Sequence, residues 1–151
     1  MKNLFRSLAL AGAVTLAMPA WAEDFYRIVN FWKPDQRIHI EHGTLVAGKI
    51  HDGAFSAQWA IEEVADGSIR LRNKWKPDQR INIEKGFLVA GKIHDGAHSA
   101  MWVLEEGYNG SYRLRNKWKP DQRINIERGV LEASKIGDGA HSAMWRIVPV
   151  N

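Results

Sequence analysis

The sequence contains no cysteine. That excludes disulfides, thiolate metal sites and a thiol nucleophile, and it leaves stability to the core. It has neither a Gly-x-Ser-x-Gly element nor a phosphate-binding loop. Past the N-terminal region no segment carries a convincing helical period. The one long apolar run, Leu8 to Met18, is too short to span a bilayer. An excess of one charge is also missing. The formal charge is +4, and two of those charges are Lys2 and Arg6, which lie ahead of the apolar run.

What is present begins with a leader. Lys2 and Arg6 form a positive region, Leu8 to Met18 an apolar one, and Ala20-Trp21-Ala22 a small-residue cleavage pattern. Residues 1–22 therefore read as a signal peptide cut after Ala22, and the product as periplasmic or secreted, in the style of a bacterial protein. No cysteine follows the run, so no lipid anchor is expected. Cleavage leaves a charge of about +2, a weak basis for a nucleic-acid partner. No membrane span is expected in the mature protein.

Residues 23–151 form one domain built from a repeat. Trp32, Trp75 and Trp118 are 43 residues apart, and so are Trp59, Trp102 and Trp145. The segment Trp32-Lys33-Pro34-Asp35-Gln36 recurs unchanged at Trp75-Lys76-Pro77-Asp78-Gln79 and at Trp118-Lys119-Pro120-Asp121-Gln122. The copies run approximately over 27–69, 70–112 and 113–151, and the first is the most divergent. In the middle copy, 70–75 and 80–84 alternate as half-buried strands do, with Ile81 and Ile83 inward. Pro77-Asp78 and Lys85-Gly86 mark turns. Residues 87–93 predict a third strand and 100–104 a fourth, with Trp102 and Leu104 on one side. Asp66-Gly67 and Asn109-Gly110 join the copies.

Three copies of four strands predict a closed all-β fold with pseudo-threefold symmetry. A propeller needs at least four blades, and an open solenoid would need caps. The pattern Phe25-Tyr26-Arg27-Ile28-Val29-Asn30, the paired isoleucines and the late tryptophan of each copy resemble the ricin B-type β-trefoil family across the whole mature chain. The family's Gln-x-Trp element falls at Ala57-Gln58-Trp59, Ala100-Met101-Trp102 and Ala143-Met144-Trp145, with alanine in place of its glutamine. The resemblance implies a β-trefoil and a lectin-like function.

Candidate contacts follow from sugar chemistry, because a sugar offers an apolar face and fixed hydroxyls. Trp32, Trp75 and Trp118 could stack on a ring while Asp35, Asp78, Asp121, Gln36, Gln79 and Gln122 bind hydroxyls. The same residues also suit core or turn packing. Trp59, Trp102 and Trp145 read as core. His39, Asn82 and Asn125 sit between the paired isoleucines at an outward position. The resemblance implies sugar contact there, although the family usually has aspartate at that point. Phe55, His98 and His141 occupy a loop where such lectins tend to carry an aromatic ring, and the neighbouring Asp-Gly pairs are equally plain turns. The histidine pairs His39/His42 and His94/His98 have no helix to align them, so no metal is expected, and no cofactor.

Repetition argues against an enzyme, since catalysis uses one asymmetric constellation with two pKa values pushed apart. The sequence therefore predicts a carbohydrate-binding module with up to three equivalent shallow sites and a glycoconjugate partner. The alternative is a protein-binding envelope module, such as a protease inhibitor or immunity factor, acting through one divergent loop. Phe31, His42, Phe55 and Gln58 of the first copy are the place to look for that loop.

Overall fold

The structure is a computed structural model, and it describes residues 23–151. The predicted signal peptide lies outside the described residues. Six strands of five residues carry the frame: β1 (Tyr26–Asn30), β4 (Trp59–Glu63), β5 (Ile69–Asn73), β8 (Trp102–Glu106), β9 (Tyr112–Asn116) and β12 (Trp145–Pro149). Six strands of three residues form hairpins between them: β2 (Arg37–His39) with β3 (Val46–Gly48), β6 (Arg80–Asn82) with β7 (Val89–Gly91), and β10 (Arg123–Asn125) with β11 (Glu132–Ser134).

The strands form because apolar and polar residues alternate on them. In β1, β5 and β9 the first, third and fifth residues are buried and the ones between are half-exposed. All pairings are antiparallel. Full ladders join β4 to β5, β8 to β9 and β12 to β1, and single bridges join β1 to β4, β5 to β8 and β9 to β12. These six pairings close a ring, which removes the open edges of the long strands. Each hairpin hangs from the ring by one bridge. Threefold equivalence puts all three hairpins at the same end. The fold is a β-trefoil.

The core lies on the axis. Trp59, Trp102 and Trp145 are fully buried, with Ile38, Ile81 and Ile124 from the hairpins and Ile69, Leu71 and Leu114 from the ring around them. Each buried indole N–H donates to a hairpin carbonyl, of Ile38, Ile81 or Ile124, at 2.9–3.0 Å. The one polar atom of each large apolar ring is thereby satisfied.

Two expected boundaries move. The third strand shrinks from 87–93 to Val89–Gly91, and the fourth begins at Trp102, after a 3-10 turn at His98–Ala100. The turn between the first two copies needs a left-handed residue, supplied by Gly67 at φ 90°. At the next junction Asn109 (φ 53°) and Gly110 (φ 82°) do the same.

The outward faces of the ladders carry charge. Glu62 meets Arg70, Arg72 and Arg80 at 2.8–3.4 Å. Glu105 repeats this with Arg113, Arg115 and Arg123 at 2.8–3.6 Å. The third ladder, β12 with β1, lacks the cluster: Val148 stands opposite Arg27, and Val29 occupies the position equivalent to Arg72.

Candidate functional site

The three Trp-Lys-Pro-Asp-Gln segments are turns held by one buried asparagine each. Asn30, Asn73 and Asn116 end β1, β5 and β9 and are fully buried. The Asn73 Oδ1 accepts the backbone N–H groups of Trp75 and Lys76, both at 2.9 Å. Asn30 and Asn116 do the same for their own turns. The Gln79 N–H then donates to the Lys76 carbonyl at 2.9 Å, which closes a β-turn with Pro77 at its second position. The asparagine amide reaches the other way, across a copy boundary. Asn73 donates to the Ser56 carbonyl at 3.0 Å, Asn116 to Ser99 and Asn30 to Ser142. The Trp75 turn is therefore tied to the Phe55 loop of the preceding copy.

Proline and asparagine are thus accounted for by the turn, but the tryptophan is not. Trp32, Trp75 and Trp118 keep 46–47% of their surface exposed. Each carries the ammonium of the following lysine over its ring, at 4.7–4.8 Å from the centroid. Their exposure excludes a place in the core and leaves turn packing and ligand contact as the uses open to these residues. Asp35, Asp78 and Asp121 are exposed and pair at 3.6 Å with Lys49, Lys92 and Lys135 of the hairpins. Gln36, Gln79 and Gln122 are half-buried and hold the turns through their backbones.

The outward reading of His39, Asn82 and Asn125 is corrected: all three are buried. The short strand ends at this residue, and its side chain folds back on its own backbone. Asn82 accepts the Glu84 N–H at 3.0 Å and donates to the Arg80 carbonyl at 3.1 Å. Asn125 repeats both bonds and also donates to the Ser134 hydroxyl at 2.9 Å. In the first copy His39 Nδ1 accepts the Glu41 N–H at 3.2 Å, and a Cβ at Gly48 would stand 3.2 Å from its Nε2. A side chain there would press the larger ring, where the third copy has room for Ser134.

Burial, and next the charge of His42, push the His39 imidazole below its ordinary value of 6.5, with Glu41 opposing. The neutral ring is the form that accepts the Glu41 N–H. Its contribution to stability is therefore full above pH 6.5 and is lost as the pH falls through the lowered folded value. Thermal melts between pH 7.5 and 5 should show a falling Tm that His39→Asn, the residue of the other two copies, flattens. An unchanged slope in that variant would refute the assignment.

Phe55, His98 and His141 head the three 3-10 turns and are exposed. The Phe55 ring lies 4.1 Å beneath the Lys74 ammonium. His141 stacks on Tyr108 at 5.7 Å and takes the edge of Phe31 at 5.0 Å. Sequence reasoning gave Tyr108 and Lys74 no role, because their partners come from other copies. In the third copy a hollow of about 380 Å³ opens beside the hairpin, lined by Asn125, Glu127, Arg128, Glu132, Ser134 and Lys135. Arg128 closes one side with a two-pronged pair to Glu132 at 2.7 and 2.9 Å.

The carboxylates are committed. Glu41, Glu84 and Glu127 accept the hydroxyls of Ser56, Ser99 and Ser142 at 2.6 Å. Burial works to raise the Glu62 carboxyl, but hydrogen bonds from Arg80 and Arg72 outweigh it and hold it below the usual carboxylate range. Glu105 is held down likewise by Arg123 and Arg115. Among the described residues no three His, Asp or Glu side chains converge as a metal site, and no helix is long and apolar enough to cross a membrane.

Solved structures share this architecture. The chain matches the GlcNAcα1-4Gal-releasing endo-β-galactosidase from Clostridium perfringens with a TM-score of 0.76 and 27% identity, over 85% of this chain and 33% of that one. It matches ThreeFoil, a designed 3-fold symmetric protein, with a TM-score of 0.72 and 15% identity over 83% of this chain and 99% of the other. SeviL bound to the asialo-GM1 saccharide matches at 0.66 and 20% identity, over 83% and 97%. The chain spans only a third of the galactosidase. Neither a family model nor a curated protein sequence matches the chain.

Proposed function

We propose that the protein is an exported carbohydrate-binding module with one shallow site at each tryptophan turn. The observation that carries this reading is the half-exposed indole repeated three times on identical turns, which the backbone network does not require. A flat aromatic face beside an ion-paired aspartate suits a sugar's C–H face and hydroxyls. Three such faces on one rigid body would raise avidity for a multivalent glycan by 10²–10⁴ over a single contact. SeviL holds a saccharide on the same fold, and the galactosidase acts on a glycan, which is consistent with this use.

Binding without catalysis is the reading favoured here. Glu62 and Glu105 are held down by arginine, the opposite of the raised carboxyl a glycosidase acid needs, and Glu41, Glu84 and Glu127 each accept a serine hydroxyl.

A glycan array is the test. The protein should retain a glycan that the Trp32/Trp75/Trp118→Ala variant releases, with loss of at least a hundredfold in apparent affinity and an unchanged circular dichroism spectrum. Retention unaffected by the triple change, or no glycan bound, would sink the proposal. One stoichiometric protein partner that free sugar does not elute would instead favour the inhibitor reading, for which the cluster of half-buried Phe31 with exposed Tyr108 and His141 offers a surface.

A further inference from the structure

The tryptophan turns are alike, but the junctions between copies are not. At each junction the residue after the buried asparagine donates its N–H to the residue that follows the 3-10 turn of the preceding copy. Lys74 sits on Gln58, Lys117 on Met101 and Phe31 on Met144, at 2.8–2.9 Å. Lys117 is neutralised by an ion pair with Asp66. Phe31 joins an aromatic cluster, with the Arg146 guanidinium 4.7 Å from its centroid. Lys74 is different. Its ammonium lies 4.1 Å from the Phe55 centroid and 4.7 Å from that of Phe25, and it donates to Gln58 Oε1 at 3.1 Å. No carboxylate lies within ion-pair distance of it among the described residues.

This held cation opens onto a hollow of about 420 Å³ whose lining includes Arg27, Asp52, Phe55, Gln58 and Lys74, with Val150 and Asn151 along one side. Arg27 has no ion pair among the described residues, and its one hydrogen bond is a long 3.5 Å contact to the Asp52 carbonyl. The Asp52 carboxylate is taken by Arg37 at 2.6 Å. The hollow therefore presents Lys74 with no ion pair among the described residues, Arg27 within the field of an Asp52 carboxylate that Arg37 already holds, and a Phe55 ring with 53% of its surface exposed. Gln58, itself 2% exposed, fixes the lysine from below.

We propose that this hollow binds a sugar residue bearing a carboxylate, a uronic acid. The carboxylate is received by Lys74 and Arg27, the ring lies against Phe55, and the Asp52 oxygens accept hydroxyls. A preset ammonium between aromatic rings meets a carboxylate without reordering its side chain. The inference rests on the carbohydrate reading but uses a different place on the molecule from the tryptophan turns.

An NMR titration of the protein with methyl glucuronide, methyl glucoside and acetate tests it. Glucuronide should shift the amides of Phe55, Gln58 and Lys74, glucoside should not, and acetate should bind at least tenfold more weakly. Lys74→Met should weaken glucuronide at least tenfold, while Lys74→Arg and the junction control Lys117→Met leave it within a factor of about two. Equal binding of glucoside, acetate matching glucuronide, or an indifferent Lys74→Met would overturn the site. If neutral glycans are retained by the tryptophan turns while glucuronide shifts nothing, this site falls and the carbohydrate reading stands. If no glycan of either kind binds, both fall.

Discussion

Replacing Trp102 by alanine should lower the free energy of unfolding by about 3–5 kcal/mol. The ring is fully buried at the threefold core and touched on all sides by isoleucine and leucine. Its loss leaves a void on the axis, which the two other tryptophans cannot fill without leaving their own carbonyl partners. A second, separable cost is electrostatic. The Ile81 carbonyl loses its donor at 3.0 Å, and a buried acceptor left bare costs about 1–3 kcal/mol. Trp102→Phe isolates that second part, because it keeps most of the volume. Against a total stability of about 5–15 kcal/mol, the alanine variant is marginal at body temperature. Urea midpoints on the two variants provide the check. A loss under about 1 kcal/mol for the alanine change would contradict the assigned packing.

Asn73→Ala should be nearly as damaging, by about 2–4 kcal/mol, although it removes only a small polar side chain. Three backbone groups are affected together: the N–H groups of Trp75 and Lys76 lose their acceptor, and the Ser56 carbonyl loses one of its two donors, keeping the Ile40 N–H. Two of these belong to the turn and one to the neighbouring copy, so the change loosens both sides of a boundary. Asn73→Asp discriminates between the halves, since it retains the acceptor and loses the donor. Hydrogen exchange at the Trp75 and Lys76 amides should accelerate in the alanine variant and stay slow in the aspartate one. Equal exchange in both would mean that the turn holds itself.

How much of this could be read beforehand depended on how local the cause was. The closed ring, the core tryptophans at 59, 102 and 145 and the joining turns followed from periodicity and from residues whose backbone preference is intrinsic. Asn73 could also have been seen: it is a polar residue at the inward phase of an alternating strand, after Ile69 and Leu71, and it recurs two places before each tryptophan. A buried asparagine needs partners for all its groups, which should have signalled a fixed turn. His39, Asn82 and Asn125 were misplaced because alternation was carried to the last residue of a three-residue strand, where the side chain bonds its own backbone instead. The Lys74 hollow was beyond reach of the sequence, because Arg27, Phe55 and Lys74 meet only when the chain closes.

The valines at the third ladder have a consequence for how the chain finds that closure. Three nearly identical strands compete for three nearly identical partners, so exchange between them is the natural folding error. If β12 took β5 as its partner in place of β4, Val148 would face Arg70. The arginines at 70, 72 and 80 would then lose the carboxylate of Glu62. If β4 took β1 instead, Glu62 would meet Arg27 and Arg37 but find Val29 where Arg72 stands. Each wrong pairing strands charge that the right one satisfies. The absence of the cluster at one ladder thus serves as an address: it sets the pairing of the first strand with the last apart from the two charged ladders.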